Sequence, residues 1–528
     1  MRFNRFLGGG LAAALLIVSA GDGRLSAQRS RAIPRTADGR PSFDGIWQVR
    51  NRASADLQDH LSRYLMPAGL AVVEGGEIPY QPWAAKKKAE NYAKRATADP
   101  LNRCFMAGVP RMMYLEWPFQ ILQTREHIAM LFEWTQVYRL IYTNGTPHDD
   151  RVQPWMADSR GRWEGDTLVV EVANHNEQTW LDMAGDFHSD ALKVVERYTM
   201  RDADTIQYEA TIDDPKVFTR PWKISMPLYR QRGGADRVLE YHCQAEKEEA
   251  NGDFEPEPRT WYPGPNAPKP ALAFAPPAER PQHYTAPASV RRTADGKPDL
   301  NGLFESDAGG SNYGLERHPP SPGALTPPAR GVVIHPPDGS LPYQPWARAE
   351  RIERDTPIRG YDDPTAHCFP AGVPRSIYVP TPFHIVQTRD FIATLHERMS
   401  WRLLSVSRTR HLPDSIRLWN GDSLAHWDGD MLVVETTNFN GKTWGNEVGD
   451  VFSYAEHVVE RFKPVDANTI QYEATITDPI VYTRPFTIAM PLKRLKGELI
   501  EAACHEEEHD LPVLKRIRDA ERAKKAGK

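Results

Sequence analysis

The chain repeats itself, and nothing else in it constrains the fold so strongly. Arg35-Thr-Ala-Asp-Gly-Arg-Pro41 returns as Arg292-Thr-Ala-Asp-Gly-Lys-Pro298, and Pro79-Tyr-Gln-Pro-Trp-Ala84 as Pro342-Tyr-Gln-Pro-Trp-Ala347. Ala107-Gly-Val-Pro-Arg111 matches Ala371-Gly-Val-Pro-Arg375, Gly165-Asp-Thr-Leu-Val-Val-Glu171 matches Gly429-Asp-Met-Leu-Val-Val-Glu435, and Gln207-Tyr-Glu-Ala-Thr-Ile212 matches Gln471-Tyr-Glu-Ala-Thr-Ile476. The order is kept and the spacing is nearly constant. Two copies of one domain are therefore expected, each too large to be a solenoid unit. The boundaries predicted are 28–250 for the first copy, 251–290 for a linker, 291–510 for the second copy and 511–528 for a basic C-terminal tail.

Composition narrows the class. Of 528 residues, 45 are proline, well above the average of about 5%, so long uninterrupted helices cannot dominate. The 65 basic and 70 acidic side chains are mixed and give a net charge of −5. That balance lacks the basic stripe of a nucleic-acid binder and the polybasic patch of a membrane-surface protein. Residues 1–6 carry two arginines and are followed by an apolar run too short to span a bilayer, so that 1–27 has the pattern of a cleaved signal peptide. A periplasmic or secreted protein with no membrane attachment after cleavage is expected. The prolines crowded into 251–290 favour an extended spacer. The four cysteines fall two per copy, and in an oxidising compartment one disulfide per copy, Cys104 with Cys243 and Cys368 with Cys504, is the simplest reading.

Within each copy the first 70 or so residues are Pro-rich, with a helix expected over 83–98 and its counterpart 346–354, both entered through proline. Short runs with strand character follow at 119–124, 127–134, 137–142, 167–172, 192–200, 205–212, 222–229 and 238–243. Turn residues such as Asn144-Gly145 and Glu164-Gly165-Asp166 separate them, as in an antiparallel meander. Eight strands must hide their edges, and closure does so. The predicted fold is all-β with minor helix: two tandem antiparallel, lipocalin-like β-barrels, each with a Pro-rich N-terminal extension.

The strand 205–212 has an apolar face of Ile206, Tyr208, Ala210 and Ile212 and a polar face of Gln207, Glu209 and Thr211, and the second copy keeps both. Other charges are also kept in pairs. Arg111, Glu133, Arg139, Arg197 and Arg220 correspond to Arg375, Glu397, Arg402, Arg461 and Arg484, and these ten are the candidate ligand-binding groups. Guanidinium forks suit a carboxylate or hydroxyls. Glu196 with Glu209, and Glu460 with Glu473, are the candidate catalytic carboxylates for general acid/base work. The bland reading of the same residues is cross-strand pairing that fixes register.

Several chemistries are disfavoured. Gly421-Asp-Ser-Leu424 spells the GDSL-esterase block, but the first copy reads Ala157-Asp-Ser-Arg160 and no partner motif completes a triad. No histidine cluster is duplicated: His127 is Phe391 in the second copy and His188 is Phe452. No metal site is expected, and without a phosphate loop or dinucleotide fingerprint no cofactor is either.

The blocks Pro-Tyr-Gln-Pro-Trp, Cys-x-x-x-Gly-Val-Pro-Arg, Trp-x-Gly-Asp-x-Leu-Val-Val-Glu and Thr-Arg-Pro resemble a family of uncharacterised exported bacterial proteins with duplicated lipocalin-like β domains. The resemblance covers both copies. It implies fold and export but brings no known activity. A terminal Ala-Cys-His-Glu pattern of that family is present as Ala503-Cys504-His505-Glu506, whereas the first copy departs from it with His242-Cys243-Gln244-Ala245. The function expected is binding of a small molecule, carbohydrate or aromatic, in polar and aromatic pockets of the two barrels. The alternative is a cofactor-independent lyase, hydratase or hydrolase.

Overall fold

Nine strands of the first copy close on themselves. They are β1 (Gly45–Gln48), β2 (Phe119–Gln123), β3 (His127–Phe132), β4 (Tyr138–Tyr142), β5 (Asp158–Glu164), β6 (Thr167–Ala173), β7 (Lys193–Asp202), β8 (Thr205–Asp213) and β9 (Trp222–Arg230). They pair in sequence order and β1 returns to β9, so the barrel has no free edge. The computed structural model describes residues 32–63, 66–232, 237–251, 283–320, 327–355, 357–507 and 509–526. The expected signal peptide and residues 252–282 of the Pro-rich linker lie outside these residues.

The second copy repeats the architecture with β10 (Gly302–Ser306), β11 (Val333–His335), β12 (Phe383–Gln387), β13 (Phe391–His396), β14 (Ser400–Ser405), β15 (Asp422–Asp428), β16 (Met431–Thr437), β17 (His457–Asp466), β18 (Thr469–Thr477) and β19 (Phe486–Arg494). Here β10 pairs with both β12 and β19 and closes the ring, while β11 adds to β19. Among the described residues the helices are few. α1 (Pro82–Ala98) and α3 (Pro345–Arg354) start at proline as expected. The others are α2 (Cys243–Asn251), the single turn α4 (Arg375–Tyr378) and α5 (Leu511–Ala526).

Alternation explains which side of each strand is inside. In β8, Ile206, Tyr208, Ala210 and Ile212 are buried, and Gln207, Glu209 and Thr211 are half-exposed. By contrast, every residue of β2 and β3 is buried. Their outer faces pack against the other copy: one continuous core joins Leu122 and Leu131 to Val386, Leu395, Trp401 and Leu403. The two barrels thus share a seam.

Three differences from the sequence expectation have physical causes. β1 and β5 are strands that the hydrophobic pattern does not announce, since β1 is only four residues and β5 reads Asp-Ser-Arg-Gly-Arg-Trp-Glu. β5 also lies parallel to β4, as β15 does to β14, because a long loop separates them where a hairpin would have reversed the chain. Residues 238–243 are not a strand. Their apolar side chains serve the seam and not the barrel, with Val238 in the shared core.

Both cysteine pairs are joined, Cys104 to Cys243 and Cys368 to Cys504, closing loops of nearly equal separation, 139 and 136 residues. No helix among the described residues is long and apolar enough to cross a membrane.

Candidate functional site

The innermost retained charges are tied to each other. Arg139 on β4 donates to both oxygens of Glu196 on β7 at 3.1 and 2.5 Å and to Ser159 Oγ on β5 at 3.0 Å. Tyr208 on β8 and Tyr198 on β7 complete the shell, their hydroxyls donating to Glu196 Oε1 at 2.8 and 3.1 Å. The second barrel repeats it: Arg402 holds both oxygens of Glu460 and donates to Ser423 Oγ and Thr436 Oγ1, while Tyr472 donates to Glu460 at 2.9 Å. Arg139, Glu196, Arg402 and Glu460 are all buried. Each group has its partners, as buried charges must. Ser423, the serine of the GDSL block, sits inside this network and is 1% exposed.

Glu196 and Glu209 are on opposite faces of the sheet. In the register Glu196 faces Ala210 and Arg197 faces Glu209, so period-2 alternation sends Glu196 inward and Glu209 outward. Glu209 pairs with Lys223 at 3.0 Å. Glu460 and Glu473 are separated in the same way. The retained polar face of β8 makes cross-strand bonds, including Gln207 Nε2 to Ser225 Oγ at 2.7 Å. Arg197 points outward to Glu164 at 2.9 Å, and Arg461 holds the equivalent outward position opposite Glu473.

The other candidates divide similarly. Arg111 grips Asp99 with two bonds of 2.8 Å, and Arg375 grips Asp363 at 2.9 and 2.8 Å, all four buried. These forks pin the segment before β2 and β12 onto the short helical turns that precede each second-copy or first-copy disulfide cysteine, Cys104 and Cys368. Glu133 is half-buried and accepts from Leu239 N at 3.1 Å. Glu397 is half-buried beside the seam, its carbonyl accepting from Ala502 N at 2.9 Å. Arg220 and Arg484 are exposed just before β9 and β19.

The seam itself carries polar groups that self-comparison of the sequence did not single out. Glu240 of the first copy accepts from Trp419 N at 2.6 Å and Asn420 N at 3.2 Å. Reciprocally, Glu501 of the second copy accepts from Trp155 N at 2.6 Å and Met156 N at 3.0 Å. The segment after the last barrel strand therefore crosses onto the other barrel in both copies. Burial pushes the Glu240 carboxyl up to about 7 and the Glu501 carboxyl up to about 8. A parallel glutamate after each last strand was the available signal.

Among the described residues, hollows of two sizes lie between the copies. A small one, of about 150 Å³, is flanked by both disulfides, with His242, His396 and Arg375 in its wall. The larger is a cleft of about 1690 Å³ lined by matching pieces of the two copies. The turns Arg35-Thr36-Ala37-Asp38 and Arg292-Thr293-Ala294-Asp295 form part of the wall, together with the hairpins Gln123-Thr124-Arg125-Glu126 and Gln387-Thr388-Arg389-Asp390. Seven arginines and seven carboxylates line it, so it has no strong net sign.

One group could hold a metal by donor type. Asp56, Asp182 and Asp186 are buried with ligand oxygens within 4.8 Å of one another. Lys88, at 3.2 Å, and the Tyr80 hydroxyl, at 2.5 Å, already occupy Asp186 Oδ1. In the second copy Asn446 stands in the place of Asp182 and donates to Asp450 at 2.6 Å. Burial raises Asp182 well above the usual carboxylate range, and a proton held there does what the Asn446 amide does.

No family model matches the chain, and no curated protein does. Among solved structures, a protein of unknown function of the DUF3598 family from Nostoc punctiforme matches at 7% identity over 74% of this chain and 98% of that one. The TM-score is 0.14, too low to support a structural argument.

Proposed function

We propose that this is an exported binding protein for a polar, oligomeric ligand, and that the ligand lies in the cleft between the barrels. The observation that carries the reading is the cleft's lining, in which the same two segments of each copy face a common space of about 1690 Å³. Pockets for drug-sized ligands run to roughly 300–1,000 Å³, so an extended, oligomeric ligand fits this volume better. Interspersed guanidinium, carboxylate, amide and hydroxyl groups offer both donors and acceptors. Such a surface suits vicinal hydroxyls, and an oligosaccharide is the class that matches both size and chemistry.

Both disulfides support export, since such bonds persist in oxidising compartments. The signal-like residues 1–27 point the same way. The barrel interiors are less suited to a ligand, because the Arg139–Glu196 and Arg402–Glu460 groups satisfy one another.

The test is binding of maltohexaose and cellohexaose by the full chain, measured by saturation-transfer NMR, with Ala37→Trp/Ala294→Trp as the variant. Both alanines are exposed on the cleft wall, so the indoles narrow it without touching a core. Binding that the double variant weakens at least tenfold supports the reading. Binding that it leaves intact places the ligand elsewhere.

A further inference from the structure

Two histidines without counterparts meet at the seam. His127 opens β3, where the second copy has Phe391, and His384 lies in β12. Gln120 occupies the place of His384 in the first copy, since β2 and β12 are equivalent strands and Gln123 corresponds to Gln387. Each copy thus supplies one imidazole from a different strand. Packing of the barrels brings the two rings to a centroid distance of 4.7 Å at an interplanar angle of 67°. Both residues line the large cleft.

We propose that His127 and His384 form a two-imidazole site for a divalent transition-metal ion of the zinc type. His384 is 3% exposed, and neither of its ring nitrogens has a hydrogen-bond partner. Buried polar atoms are nearly always satisfied, and one that is not calls for a missing partner. A metal ion would take one of these two nitrogens. Burial disfavours the charged form of both rings. Neutral imidazole is the ligating form.

The spacing also fits. With metal–nitrogen bonds of about 2.0–2.1 Å, two imidazoles at neighbouring coordination positions of one ion have centroids about 4.5–5.5 Å apart. Glu126 and Glu498 lie near His127 and favour positive charge there, while Arg494 near His384 opposes it. Two protein ligands leave the remaining coordination positions to water or to a molecule in the cleft. Imidazole donors select zinc, cobalt, nickel or copper over magnesium or calcium. The site stands whether or not an oligosaccharide binds in the same cleft.

The experiment uses the chelator-stripped full chain. Zn²⁺ binding is measured calorimetrically, and Co²⁺ binding by its visible absorption, with Mg²⁺ and Ca²⁺ as controls. The variants are His127→Phe and His384→Gln, each installing the residue that the sister copy carries at that position. One equivalent of Zn²⁺ or Co²⁺ bound by the wild type, and at least tenfold weaker binding by each variant, supports the proposal. Absence of binding by the wild type, or unchanged binding by both variants, overturns it. Should a variant not fold, anomalous diffraction from a Zn²⁺-soaked wild-type crystal decides: a peak between the two rings supports the site, and peaks only elsewhere overturn it.

Discussion

Glu240 and Glu501 clasp the two barrels reciprocally, each half-buried and each hydrogen-bonded to two successive backbone amides of the other copy. A carboxylate that accepts such bonds is stabilised, but here burial outweighs them and raises both groups, to about 7 and about 8. Unfolded, they titrate near 4.3. Between those values the folded state binds more protons than the unfolded one, so stability falls as pH rises. Their contribution is complete below about pH 4 and is lost through pH 7 to 8. The thermal midpoint of the wild type should therefore drop across pH 5 to 8, and Glu240→Gln/Glu501→Gln should flatten that slope. Each glutamine forfeits about one hydrogen bond, near 1 kcal/mol, which lowers the whole curve. An unchanged slope in the double variant would remove these glutamates from the pH response.

Arg139 and Glu196 are each other's charge compensation inside the first barrel, and removal of either leaves the other buried and unpaired. Arg139→Met or Glu196→Leu should each cost about 3–5 kcal/mol in denaturant unfolding, as should Arg402→Met in the second barrel. The double change Arg139→Met/Glu196→Leu should cost less than the sum of the singles, because it strands no charge. Additive losses would mean that the two residues act independently.

How far the sequence discloses this arrangement depends on whether the cause is local. β8 and β18 are legible because alternation of Ile, Tyr and Ala with Gln, Glu and Thr is a property of consecutive residues. β5 is not, since Asp-Ser-Arg-Gly-Arg-Trp-Glu earns its strand from neighbours on both sides. Residues 238–243 have strand-like side chains, yet what they cover is the other barrel, which no local pattern encodes. Retention in both copies singled out Arg139 and Glu196, but it set one among ligand-binding groups and paired the other with Glu209, because retention alone cannot tell a ligand group from an ion-pair partner. For His127 and His384 the same filter works against detection, because they occupy non-equivalent strands and meet only when the copies dock.

Asp182 offers an internal comparison between the copies. It stands where the second copy has Asn446, and it is raised by burial and then by the neighbouring Asp186. The folded state therefore holds the Asp182 proton more tightly than the unfolded chain, and stability declines as pH climbs above about 4. Asp182→Asn should abolish that share of the decline, while Leu57 N loses its acceptor on Asp182 Oδ2, now at 2.9 Å. Urea midpoints at pH 5 and pH 8 should thus differ less in the variant than in the wild type. A larger difference in the variant would show that Asp182 is ionised in the folded protein.

The disulfides fasten the crossing segments. Cys243 follows Glu240 and His242 directly, at the start of α2, and its bond to Cys104 returns the chain to the first copy after it has touched Trp419 of the second. Cys504 does the same after Glu501. In the chain-entropy picture a bond spanning 139 residues stabilises by about 5 kcal/mol. The strands between the cysteines keep their own ladders, so the first loss on reduction falls on the clasp. Cys243→Ser/Cys104→Ser should therefore raise amide exchange at Trp419 and Asn420 well before exchange in β7 and β8 increases. Simultaneous rise in both regions would mean that clasp and barrel unfold as one unit and that the disulfide guards the barrel itself.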